Sequence, residues 1–219
     1  MYIPFLIIIS ILSFFSIGET ISKWIIKHKK IVSETILILA FLSLFLILTP
    51  FTIKESGEIA IGLLWIILWL PILSKVFLLN IPQKLMLFRK EIGIWMGMLS
   101  IVHTTLYFKV VSFNTLFSTD FWFLNGTITF LTWGMLAFVI AIILTFTSNN
   151  ISMKLLGKKW KYLHRTAYLL LIFALLHVAF LKISNEGIIV FITTFIPFII
   201  YFILKILEWK NIKIPTGIK

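Results

Sequence analysis

Long apolar runs set the first limit on what this chain can fold into. Seven segments, at 2–18, 32–50, 57–79, 91–112, 124–147, 163–181 and 187–208, are almost free of charge and joined by short polar connections. A helical run of about 20 apolar residues matches the hydrocarbon layer of a bilayer, because each residue adds about 1.5 Å. A water-soluble domain has no interior able to hide seven such runs. Composition agrees: 60% of the residues are hydrophobic and 13% charged, where a soluble chain carries about 25% charged. The expected fold is all-α, a polytopic membrane helical bundle of about seven transmembrane helices. The first run has no basic residue before Lys23 and no small-x-small cleavage pattern, so it reads as a retained helix rather than a signal peptide. No internal repeat or low-complexity linker is evident.

The net charge of +12 would suggest nucleic acid in a soluble protein. Here the basic residues lie between apolar runs and report orientation instead, so no nucleic-acid partner is expected. Seventeen of the 20 Lys and Arg fall in alternate loops and the C-terminal tail: Lys23, Lys27, Lys29 and Lys30; Lys75, Lys84, Arg89 and Lys90; Lys154, Lys158, Lys159, Lys161 and Arg165; Lys205, Lys210, Lys213 and Lys219. Only Lys54, Lys109 and Lys182 lie on the other side. The positive-inside rule makes the seventeen cytoplasmic. An N-terminus outside and a basic C-terminus inside require an odd number of spans, and seven satisfies that. The expected location is the cell (inner) membrane, multi-pass.

The chain has no Cys. That excludes thiolate metal sites, iron–sulfur clusters, CxxC redox pairs and covalently attached c-type haem. Ionisable groups within spans are functional hypotheses by default. Of the four His, His28 sits in the basic loop Lys27–Lys30 and reads as solvated. His103 lies six residues before Lys109 and His177 five before Lys182, in two spans that run from inside to outside. The two imidazoles are therefore expected at nearly equal height in the outer half of the bilayer. Two neutral imidazoles at one height can supply both axial ligands of a haem; structural polar contacts between helices, or a proton relay, are the alternatives. Zinc or di-iron would want further His or carboxylates, and neither span has an acid at that depth. Ser100, Thr104 and Tyr107 are candidate hydrogen-bond donors behind the ligands or plain packing residues. Gly93 and Gly97 form a small-xxx-small face suited to helix packing. His164 lies thirteen residues before His177, about 20 Å along an ideal helix, at the cytoplasmic interface. There it is a candidate ligand of a second haem, or a contact for propionates or a flavin phosphate; the fourth span offers Arg89 and Lys90 at that level rather than a matching His. Trp160 and Tyr162 suit an interfacial aromatic belt.

Two segments carry a resemblance. Thr147-Ser148, followed by Leu156-Gly157-Lys158-Lys159-Trp160-Lys161-Tyr162-Leu163-His164-Arg165-Thr166-Ala167-Tyr168 and running on to His177, resembles the TS…LGxxWxxLHRxxY…H signature of ferric-reductase-like transmembrane domains. Phe88-Arg89-Lys90-Glu91-Ile92-Gly93-Ile94, leading to His103 and Tyr107, resembles the RRxLGL…H…Y segment of the haem-binding membrane subunit of periplasmic methionine sulfoxide reductase systems, the MsrQ/YedZ family. The matches cover roughly residues 88–182, with a looser fit from Gly57 to Pro71. Two positions depart from the pattern: Lys90 stands for its second Arg and Ile92 for its Leu.

The resemblance implies a b-type haem electron carrier. By position, His103 and His177 match the axial ligands and His164 the third His, and some members also bind flavin (FMN). It implies a six-helix core, which falls at 32–210; the N-terminal helix and basic loop at 1–31 are an addition that departs from the family's six spans, and a tail follows at 211–219. The sequence has no G-x-G-x-x-G phosphate loop. Electrons are therefore expected from a separate cytoplasmic flavin reductase or from quinol, and they leave to an external reductase subunit or a metal. Lys154, Lys158, Lys159, Lys161 and Arg165 would form the docking or flavin-phosphate surface. Two further classes stay open: a stand-alone ferric or metal reductase with the same haem core, and a non-redox transporter or assembly factor whose His are structural.

Overall fold

The structure is a computed structural model that describes residues 18–48, 53–76, 80–110, 118, 123–124, 127–186 and 188–210. Helix α1 (Gly18–Lys27) leads into α2 (Lys29–Leu42), which tightens into a 3₁₀ stretch at Ser43–Leu48. Helix α3 (Ile53–Lys75), the short α4 (Asn80–Leu85) and a 3₁₀ turn at Met86–Phe88 precede α5 (Arg89–Val110). Strands β1 (Phe123–Leu124) and β2 (Thr127–Ile128) pair antiparallel, Phe123 opposite Ile128. Then follow α6 (Phe130–Phe146), α7 (Asn150–Leu156), α8 (Lys158–Arg165), α9 (Ala167–Glu186) and α10 (Ile188–Trp209).

The expected first span, 2–18, and the tail, 211–219, lie outside the described residues apart from Gly18. The other six runs each contain a helix, with shifted bounds. The run read at 57–79 begins at Ile53, so the polar Lys54-Glu55-Ser56 is helical. The run read from 124 begins its helix at Phe130, because Phe123–Leu124 and Thr127–Ile128 are paired strands. The run read from 163 begins in the last residues of α8 and passes a turn at Thr166 before entering α9. By length and composition, Ile53–Lys75 and Lys158–Leu181 can each cross a membrane alone. A third span arises if α6 and α7, bent by 96°, count as one.

That bend is built by three polar residues. The Thr147 hydroxyl donates back to the Ile143 carbonyl at 2.7 Å and the Ser148 hydroxyl to the Leu144 carbonyl at 2.6 Å, closing α6. Asn149 then caps α7 by accepting from the Ser152 N–H at 2.8 Å. Gly157, at φ +52°, takes the left-handed conformation that separates α7 from α8.

Helices α3, α5, α6, α9 and α10 pack in a closed ring, each against the next, and α2 lies on the outside of α5. The core they enclose is apolar: Leu64, Leu68, Ile72, Met96, Ala141, Leu144, Leu171, Leu175 and Tyr201. With lipid outside, packing of small residues does much of the work that water expulsion does in soluble proteins. Gly97 on α5 is the tightest point, pressed against Thr145 on α6. One end of the ring carries most of the basic residues, among them Lys75, Arg89, Lys154, Lys158 and Arg165. The other end holds the start of α3, the start of α6 and the outer parts of α5 and α9.

Candidate functional site

His103 stands on α5 and His177 on α9, and the fold brings them together at the end of the ring away from the basic cluster. Their ring centres are 6.2 Å apart and their planes cross at 85°. Each is held by the start of the preceding long helix of the ring, α3 for His103 and α6 for His177. His103 Nδ1 lies 2.8 Å from the carbonyl oxygen of Ile53 on α3, and His177 Nδ1 lies 2.7 Å from the carbonyl oxygen of Phe130 on α6. A carbonyl only accepts, so each Nδ1 carries the proton. The proton-free Nε2 of each ring then has its lone pair directed away from that carbonyl. Neither Nε2 has a hydrogen-bond partner among the described residues.

Glycines make these bonds sterically open. Gly57, one turn after Ile53, lies so close to the His103 ring that a Cβ there would fall 2.9 Å from Cε1 and Nδ1. Gly134, one turn after Phe130, does the same for His177: its Cβ would fall 2.7 Å from Nδ1 and 3.0 Å from Cε1. The Ser56 hydroxyl donates to the same Ile53 carbonyl at 2.8 Å and lies 3.5 Å from His103 Nδ1. On the other side, the Phe130 ring lies against His177, centres 5.6 Å apart.

The chemistry open to such a pair is narrow. Among the described residues no group of three or more His, Asp or Glu could share a metal ion. Two axial imidazoles with metal–nitrogen bonds of about 2.0–2.1 Å, and roughly 1.1 Å from nitrogen to ring centre, put their centres roughly 6 Å apart. The observed 6.2 Å fits one metal between two rings whose remaining ligands come from elsewhere. Buried donors point the same way. The indole N–H groups of Trp95, two turns from His103, and of Trp133, next to Gly134, have no acceptor among the described residues. Unpaired donors in a bundle interior are costly. A prosthetic group that brings carboxylates into the bundle would satisfy such donors.

His164 is placed differently. It lies at the basic end, stacked on Trp160 with ring centres 4.0 Å apart. Its Nε2 is 3.3 Å from the Thr147 hydroxyl, while the Trp160 indole donates to the Thr147 carbonyl at 2.9 Å. The Thr147 hydroxyl gives its proton to Ile143, so it accepts from His164 and occupies the nitrogen that His103 and His177 leave open. The Arg89 guanidinium is within electrostatic range of His164, and of Tyr168, Tyr201 and Glu208.

Among the described residues, none of the others singled out from the sequence is hydrogen-bonded to the imidazole pair. The Ser100 hydroxyl bonds within its own helix, to the Met96 carbonyl at 3.0 Å. The Tyr107 ring packs on Phe108. The structure gives Thr104 no bond to either ring. Arg165 is exposed and lies over the Tyr162 ring, 5.2 Å from its centre. The groups that do hold the imidazoles, the Ile53 and Phe130 carbonyls with Gly57, Gly134 and Ser56, do not stand out in the sequence. Backbone acceptors leave no side-chain signature, and a glycine in a span reads first as packing.

A family model described as "Ferric reductase like transmembrane component" matches residues 56–181. The match begins within the Ile53–Gly57 turn and ends four residues after His177. No solved structure matches the chain at a significant level.

Proposed function

Because the chain belongs to the ferric reductase-like transmembrane component family, a membrane redox family, we propose that it is a b-type haem subunit carrying electrons across the bilayer. Haem b, when bound, supplies a one-electron ferric/ferrous couple. The rest of the reading concerns what the protein's own groups do. His103 and His177 would hold the iron, each through its open Nε2. The Ile53 and Phe130 carbonyls fix each ring's tautomer and raise its basicity as a ligand. The surrounding apolar side chains keep water out, and burial is one of the levers that sets the potential of such a centre. The single observation that carries the reading is the 6.2 Å separation of two rings, each with Nδ1 bound and Nε2 open.

Direction and partners follow from charge. Seven spans, with the N-terminus outside and the C-terminus in the cytoplasm, would place His103 and His177 on the outer side of the inner membrane. The six-helix core is then 32–210, with 1–31 and the tail 211–219 outside it. The basic cytoplasmic end, with Lys154, Lys158, Lys159, Lys161 and Arg165, suits an acidic flavin reductase or the phosphate of FMN. Quinol in the bilayer is the alternative donor. The acceptor is an external reductase subunit, a periplasmic methionine sulfoxide reductase being the one the MsrQ/YedZ resemblance suggests. A second haem at His164 would require that ring to give up its bond with Thr147.

The test is a dithionite-reduced minus oxidised absorption spectrum of the purified protein, beside His103→Ala and His177→Ala. A sharp b-type α-band that disappears in both variants is the expected result. Colourless wild-type protein, folded and from haem-replete cells, would sink the redox reading and leave a non-redox membrane protein with structural histidines. A stand-alone ferric or metal reductase shares the haem core. It is separated by whether the reduced protein is reoxidised by ferric chelates without a second protein.

A further inference from the structure

The two imidazoles sit in two copies of one cradle. In each copy a helix leaves the outer end, offers a carbonyl, and places a glycine one turn later: Ile53 and Gly57 on α3, Phe130 and Gly134 on α6. A second long helix then returns and lays its His on that glycine, with a sequence separation of 50 residues in one copy and 47 in the other. The helix directions match in the two copies, so the repeat is parallel. Little of this shows in the sequence: Ile53 faces Phe130, Ser56 faces Trp133, and only the Gly and the His are shared.

We infer that Gly57 and Gly134 are positioning residues that set the planes of the two imidazoles, holding them near-perpendicular for a metal shared between them. A ring bonded through Nδ1 to a carbonyl at n must pass over position n+4 of the same helix. Any side chain there meets the ring at under about 3.0 Å. A methyl group at either position therefore forces the ring to turn or retreat, and the Nδ1–H···O=C bond is the first to break. With each ring held between its own carbonyl and its own glycine, the planes stand at 85° to one another. That the shared metal is haem iron rests on the function proposed above; the cradle itself does not.

Two readouts separate the two claims. In the ferric haem protein, near-perpendicular imidazole planes give a strongly anisotropic low-spin EPR signal, whereas near-parallel planes give a rhombic one. Wild type and Gly93→Ala should show the anisotropic signal, because a Cβ at Gly93 meets only Ile67 Cδ1, at an ordinary 3.8 Å. Gly57→Ala and Gly134→Ala should each turn it rhombic or add high-spin iron. In haem-free protein labelled with ¹⁵N-histidine, wild type should show the His103 and His177 imidazoles protonated at Nδ1, beside that of His28, whose Nδ1 faces the Trp24 carbonyl at 2.9 Å, and each glycine variant should lose one of the pair while His28 stays unchanged. Haem-loaded glycine variants with an unchanged EPR signal would overturn the inference and leave the haem reading standing. Colourless wild type with both Nδ1–H imidazoles present would overturn the haem reading and leave the cradle. Should both glycine variants fail to fold while Gly93→Ala folds, the glycines serve helix packing rather than ring placement, and the inference is wrong.

Discussion

Gly97 and Thr145 meet with no room between them: a Cβ on Gly97 would fall 1.7 Å from the Thr145 hydroxyl oxygen. This is where the two copies of the cradle join, since Gly97 belongs to α5 and Thr145 to α6. The Thr145 hydroxyl cannot swing away freely, because it donates to the Ala141 carbonyl at 2.7 Å. Gly97→Ala should therefore destabilise the bundle by about 1–3 kcal/mol, the usual cost of overpacking, while Gly93→Ala on the same helix should cost little. Adding Thr145→Ala to Gly97→Ala should restore only part of the stability, because the Cβ at 145 would still fall 2.8 Å from the new methyl group. Thermal unfolding in detergent checks the ranking; a Gly97→Ala protein as stable as wild type would mean the helices separate more easily than this close approach implies.

Ser56 makes the two cradles unequal. Its hydroxyl and His103 Nδ1 share one acceptor, the Ile53 carbonyl, whereas at the corresponding position of the other cradle stands Trp133, which cannot share that role. Ser56→Ala frees the carbonyl for His103 alone. The stronger bond makes the imidazole a more basic ligand, which favours ferric iron. The midpoint potential should fall by up to about 40 mV, the one-electron equivalent of roughly 1 kcal/mol of hydrogen bonding. Potentiometric titration of wild type beside Ser56→Ala tests it, and a rise would show that Ser56 acts on the ring by another route.

Much of this architecture is legible in the residues alone. Apolar runs locate α2, α3, α5, α6, α9 and α10 because lipid tolerates few charges, and that constraint is written into every residue of a span. Counting from Lys109 and Lys182 puts His103 and His177 at one height, and the structure brings their rings together. What holds the rings is hidden for a physical reason: two of the groups are backbone carbonyls, and the glycines act by lacking a side chain. The start of α3 is hidden too, because Lys54-Glu55-Ser56 looks like a loop until Ile53 is needed as an acceptor. Thr147 and Ser148 stand out in the sequence only as part of a motif; in the fold they end α6 and turn the chain.

At the basic end, Glu208 on α10 joins two cations. It bonds Lys75 of α3 at 3.1 Å and also pairs with Lys205, whose ammonium lies over the Tyr168 ring. The pair with Lys205 is buried, with side chains 6% and 7% exposed, whereas Lys75 is 61% exposed. Removing one partner of a buried pair strands the other charge and costs about 3–5 kcal/mol. An exposed partner contributes at most about 1 kcal/mol. Glu208→Gln should thus destabilise far more than Lys75→Ala. Replacing both Lys205 and Glu208, by Met and Leu, should recover most of what Glu208→Gln takes away. Equal effects of Glu208→Gln and Lys75→Ala in thermal unfolding would show that Lys205 finds another partner.

His164 tests how many of the histidines serve one centre. Its ring is engaged by Thr147 and Trp160 at the corner where α6 gives way to α8. It sits on α8, before the turn at Thr166, while His177 stands on α9 far toward the other end. His164→Ala should therefore keep the b-type band that His103 and His177 support. It should lower stability by about 0.5–1.5 kcal/mol, the worth of one hydrogen bond, with Trp160→Phe costing about the same. The quantity to measure is haem per protein, by pyridine haemochrome, together with the reduced-minus-oxidised spectrum. Unchanged haem content fits a single bis-imidazole centre with His164 as a structural corner. Disappearance of about half the haem, with the remaining band intact, would mean that His164 leaves Thr147 to ligate a second haem. Disappearance of all of it would mean that the corner is required for the fold that brings His103 and His177 together.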